Sequence, residues 1–75
     1  MRFSDHARKR MGERGISDAD VVRAYATRQQ PPLPGDIGAV VYRGLATNGQ
    51  WLRLVCSTYT SGVFVISLYW EDEGR

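Results

Sequence analysis

At 75 residues the chain makes a single domain, 1–75, with a slim core, because a chain this short buries only about 60% of its unfolded surface. Its 43% hydrophobic and 24% charged content argue for a folded globular protein, and no apolar run approaches the roughly 20 residues that a membrane-crossing helix needs. With one cysteine, Cys56, and one histidine, His6, neither an internal disulfide nor a full set of zinc ligands can be assembled, so no metal and no cofactor are expected.

The N-terminal "MRFSDHARKR" lacks the apolar region of a secretory signal, which makes the cytoplasm the expected location, with no membrane partner. The net charge of +2 is modest but unevenly spread. Arg2, Arg8, Lys9, Arg10 and Arg14 crowd the first residues, whereas the tail "EDEGR" is acidic. That asymmetry suggests a basic face for a polyanion, with the acidic end kept away from it.

In chain order, Ser4 is placed to cap a helix over about 5–14, with Asp5 in its first turn and Gly15 to end it. Ser17 and Asp20 resemble a capping box, with Ile16 positioned to staple onto Val21, and they open a second helix over about 18–28. Pro31 ends that pattern, and 29–38 reads as a loop. The segments at about 39–43, 51–58 and 63–70 are rich in β-branched and aromatic residues, and "ATNGQ" and "TSG" between them are turns of hairpin length.

The pattern therefore predicts an α+β fold, two N-terminal helices on one face of a three- or four-stranded antiparallel sheet. Strict alternation places Leu52, Leu54, Cys56, Phe64, Ile66, Leu68 and Trp70 toward the helices. Trp51, Arg53, Val65, Ser67 and Tyr69 then share the open face, where Trp51 and Val65 would leave a surface for a homodimer; the monomer is the alternative.

On the first helix His6, Arg10 and Arg14 fall within an arc of about 80°, beside Ala7 and Met11, which with Phe3 point to the core. The row thus stands at the border between helix and sheet, while Arg8 and Lys9 look like solvated charges. Two guanidiniums and an imidazole suit a phosphodiester. Arg binds phosphate oxygens through a planar fork that strengthens as negative charge builds, and His, with an ordinary pKa of about 6.5, can move a proton at neutral pH. RNA would be cut by its own 2′-hydroxyl. Tyr69 and Trp51 offer rings on which bases can stack.

A plainer reading covers the same residues. His6 can be a boundary residue, Arg10 and Arg14 can pair with Glu13, Asp18 or the acidic tail, and Ser67 can mark only a tight packing position. Arg53 on an otherwise apolar strand reads more readily as facing a ligand on the open side of the sheet.

"FSDHARKRMGERGISDADVVRAY" resembles the opening of the DUF4258 family, whose signature reads H-A-x-x-R-M-x-x-R-G-I-S before a second helix with paired aliphatics. "RLVCSTYTSGVFVISLYW" is similar to that family's closing hairpin. The family is grouped with RelE and barnase-like ribonuclease toxins. The resemblance implies a RelE-like arrangement and a bacterial, metal-independent endoribonuclease, the toxin of a toxin–antitoxin pair. Its partners would be RNA, including ribosome-associated mRNA, and a protein antitoxin. The implied site is His6, Arg10, Arg14 and Arg53 with Ser67; outside the first block the residues are generic, and no clear second acid or base partners His6, with Tyr69 or Glu71 the positions open to that role. The competing reading is a non-catalytic module that binds nucleic acid or an acidic protein through the same basic ridge.

Overall fold

Both helices begin where their caps stand. In the computed structural model, which describes residues 1–74, the order is β1 (Arg2–Phe3), α1 (Asp5–Arg14), α2 (Asp18–Ala26), β2 (Leu33–Pro34), β3 (Ala39–Leu45), β4 (Trp51–Ser57), β5 (Phe64–Trp70) and a 3-10 turn at Glu71–Gly74. Ser4 is extended, its Oγ accepts from Ala7 N, and Gly15 closes α1 in the left-handed region at φ 64°. Ser17 and Asp20 exchange both hydrogen bonds of the capping box, while Ile16 and Val21 on either side of it are buried. The second helix stops at Ala26, short of residue 28, where the Thr27 hydroxyl donates to Arg23 O.

The fold class is α+β, with the two helices packed against the sheet, but the sheet has five strands and is mixed, in the order β1-β5-β4-β3-β2. The expected meander of β3, β4 and β5 forms its centre. Two short strands extend it at the margins. The first, β1, runs parallel to β5, held by Arg2 N to Val63 O at 2.8 Å and Ser4 N to Val65 O at 3.0 Å. The other, β2, lies inside the expected loop and pairs with Val40 and Val41 of β3. Further along the same edge of β3, Gln29 N donates to Arg43 O and Leu45 N donates to Thr27 Oγ1.

On β4 the alternation holds, with Leu52, Leu54 and Cys56 buried. Burial pushes the Cys56 thiol up to about 11, so it stays protonated and unreactive at neutral pH. On β5 the alternation breaks. The register jumps from Val55↔Ser67 to Cys56↔Val65, which leaves Ile66 as an extra residue in a β-bulge. Before the bulge the faces are therefore reversed: Val65 is fully buried, whereas Phe64 and Ile66, expected inside, are half-exposed. A dimer surface that uses Val65 is excluded by the same burial. After the bulge Leu68 is buried, and Ser67 and Tyr69 stand on the open face as expected.

The second helix rides directly on β3. A Cβ on Gly44 would stand 1.8 Å from Ala24 O, so only glycine permits this approach. Arg8, expected to be merely solvated, pairs with Asp18 at 2.7 Å and lies over the Phe3 ring at 4.2 Å. No helix among the described residues is long and apolar enough to cross a membrane.

Candidate active site

Past the two residues of β1, the outer edge of β5 is covered by α1. Ser4 Oγ, besides capping the helix, donates to Ile66 O at 2.6 Å. One turn of edge further on, Arg14 Nη1 donates to Leu68 O at 2.9 Å, and Trp70 Nε1 donates to Arg14 O at 2.9 Å. Both ends of α1 are thus fixed to the same strand. With Ala7 and Met11 buried, the helix can present the row His6, Arg10 and Arg14 only beside the open face of β5.

A cleft of about 420 Å³ results, lined by His6, Arg10 and Arg14 from α1, Ser67 and Tyr69 from β5, and Glu73 from the 3-10 turn. Five of these residues are chemistry-bearing positions marked by the sequence. His6 is exposed at the surface of the cleft, and the two arginines are half-buried. Arg10 Nη1 pairs with Glu13 at 2.6 Å, which holds the Glu13 carboxyl below its ordinary value. Arg14 Nε lies 3.2 Å from Glu73 Oε1. The pairing of these arginines with Glu13 and with the acidic tail, the plainer expectation, is what the structure has.

Three expected residues lie elsewhere. Arg53 is on the same open face, directly across from Tyr69, but its Nε and Nη2 both donate to Glu71 Oε1 at 3.2 Å and it does not line the cleft. Glu71 is likewise outside the cleft. It is clasped by Arg43 through Nε and through Nη2 at 2.9 Å, as well as by Arg53. The hydrogen bonds from Arg43, followed by those from Arg53, outweigh partial burial and hold its carboxyl down at about 2. Trp51 carries the Arg43 guanidinium on its ring at 3.6 Å and sits away from the cleft.

One contributor escaped the sequence reading, and another was covered only by its plainer alternative. Arg43 is set opposite Arg53 by the β3–β4 register, so one carboxylate can bridge both, a relationship that no local pattern displays. Glu73 belongs to the acidic tail, which the charge asymmetry set apart from the basic row and the plainer reading paired with its arginines; the 3-10 turn brings it onto Arg14. Trp70 N also donates to Glu73 Oε1, at 2.6 Å, which fixes where that carboxylate can point.

A family model described as "Domain of unknown function (DUF4258)" matches residues 3–70. The chain belongs to the DUF4258 family. The matched span contains His6, Arg10, Arg14, Ser67 and Tyr69, while Glu73 lies beyond it. No curated protein and no solved structure matches this DUF4258 chain. The membership therefore names the folded unit, and its chemistry has to be argued from the cleft.

Proposed function

We propose that this DUF4258 domain is a metal-independent endoribonuclease acting in the cytoplasm as the toxin of a toxin–antitoxin pair. The observation that carries the reading is the convergence of His6, Arg10, Arg14, Ser67 and Tyr69 on one cleft. In the reaction, the 2′-oxygen of a ribose attacks the adjacent phosphorus while its proton passes to the His6 imidazole. The bond from phosphorus to the 5′-oxygen breaks, and that oxygen takes a proton back from the imidazolium. The products are a 2′,3′-cyclic phosphate and a 5′-hydroxyl. Arg10 and Arg14 hold the non-bridging oxygens, whose negative charge grows in the transition state. Tyr69 flanks the scissile group and offers its ring to a base. The order of two helices followed by a meander supports the RelE-like kinship that the sequence resemblance implies.

A second reading is favoured by a specific observation. Both cleft arginines carry carboxylate partners, and Arg53 is turned to Glu71 instead of to the cleft. On that view the domain is a non-catalytic module that binds nucleic acid or an acidic protein.

Incubating wild-type and His6→Ala protein with RNA in EDTA, with melting curves to establish that both are folded, separates the two. Cleavage by the wild type that falls by at least about a hundredfold in the variant supports the enzyme, since acid–base catalysis contributes on that order. Equal cleavage by both removes His6 from the mechanism. Binding of RNA without cleavage by either establishes the module.

A further inference from the structure

One wall of the cleft carries an anion, and it belongs to the chain. Glu73 places Oε1 3.2 Å from Arg14 Nε and lines the cleft together with His6, Arg10, Ser67 and Tyr69. A carboxylate in that position gives Arg14 an ion-pair partner of the same charge sign as a phosphate oxygen. The two glutamates of the 3-10 turn are held very differently. Glu71 is gripped by two guanidiniums and its side chain is 15% exposed. Glu73 meets one guanidinium, at 3.2 Å, and the backbone N–H of Trp70, at 2.6 Å, and its side chain is 34% exposed. One end of the turn is therefore anchored on two guanidiniums, Arg43 and Arg53, and the other is a carboxylate held by one guanidinium and one backbone N–H beside the proposed catalytic row.

We propose that Glu73 is a built-in competitor occupying the seat of the substrate phosphate on Arg14, so that a phosphodiester binds only by displacing it. This rests on the reading of the cleft as a phosphodiester site. The turn works as a strap: Glu71 stays clamped while Glu73 swings off Arg14 to admit the polyanion. A single, partly exposed ion pair of this kind is worth little, which suits an element that must yield to substrate while excluding weaker anions. The other role open to a carboxylate in this position, the second acid or base of the reaction, makes the opposite prediction for its removal.

Glu73→Gln separates the two roles, because Gln keeps an oxygen to accept from Trp70 N while losing the charge. The full-length chain is titrated with a short single-stranded DNA oligonucleotide, which lacks the attacking 2′-hydroxyl, and is assayed separately for cleavage of the matching RNA. The expected result is tighter binding of the oligonucleotide by about fivefold at low salt, with the gain lost at high salt. The double variant Arg14→Gln, Glu73→Gln, checked for folding by its melting curve, should lose that gain. Unchanged or weaker binding by Glu73→Gln overturns the proposal, as does a gain that persists without Arg14. Abolished cleavage with unchanged binding overturns it in favour of an acid–base role. Tighter binding by Glu73→Gln with no cleavage by either protein upholds the competitor and rejects the endoribonuclease.

Discussion

Trp70 and Arg14 hold each other in place: the indole Nε1 donates to Arg14 O at 2.9 Å, while the Arg14 guanidinium donates to the carbonyl of Leu68 two residues before the tryptophan. One of the carbonyls left free at the end of α1 is thereby satisfied by the strand that the helix covers. Trp70→Phe keeps the ring that packs against the core but removes the donor, and it should cost about 1–2 kcal/mol in urea denaturation. A loss no larger than that of an ordinary surface substitution would mean that water replaces the indole.

Gly44 and Gly12 should respond in opposite directions to the same substitution. At Gly44 an added methyl runs into Ala24 O, and α2 cannot retreat without opening the core, so Gly44→Ala should cost about 3 kcal/mol or prevent folding. At Gly12, inside α1, the methyl meets nothing within 4 Å, and Gly12→Ala should stabilise by about 0.5–1 kcal/mol. Thermal melts of the two variants test the pair together.

Asp20 is buried and accepts from Ser17 N at 3.0 Å and from Thr47 N at 3.1 Å, with the Thr47 hydroxyl as a further donor. The Thr47 side chain above all holds its carboxyl below the ordinary value. Asp20→Ala removes the carboxylate half of the capping box and leaves donors unfilled at Ser17 N and at the turn after β3, a loss of about 2–3 kcal/mol. Asp20→Asn, which retains one acceptor oxygen, should recover part of it.

The clasp on Glu71 gives stability a defined dependence on acid. Its carboxyl is lowered from 4.5 to about 2 in the folded chain, so between those values the unfolded chain takes up the proton and the folded one does not. The stabilisation is fully present above 4.5 and fades as the pH falls toward 2. In Glu71→Gln this component is absent. Urea midpoints taken from about pH 5 down to about pH 2 should decline less steeply for the variant than for the wild type. Parallel curves would show that Glu71 does not carry the effect.

What could be read from the sequence follows the range of the interactions involved. As caps, Ser4, Gly15, Ser17 and Asp20 bond within a few residues of themselves, so the start and end of α1 and the start of α2 were legible, while the bonds from Ser4 to Ile66 and from Thr47 to Asp20 were not. So was the row His6, Arg10 and Arg14, which helical geometry alone aligns. The bulge at Ile66 was not, because it arises from how β5 meets β4, and a run of apolar residues on both faces conceals the change of parity. The parallel pairing of β1 joins Phe3 to Val65 across most of the chain and has no turn to announce it. Arg53 was correctly assigned to the open face, but its engagement by Glu71 depends on where the final turn lies.

The margins of the sheet have a consequence for how the molecule behaves in a crowd of its own copies. A bare strand edge is a template on which another chain can add β-structure. Here one side is occupied by Ser4 and Arg14 at the carbonyls of Ile66 and Leu68. On the other side, β3 is shielded by Thr27, Gln29 and a two-residue strand ending in Pro34, which has no N–H to donate. Edge-to-edge recruitment into fibrils therefore finds little backbone to grip, and a small, marginally stable domain can be kept concentrated without relying on a bulky core.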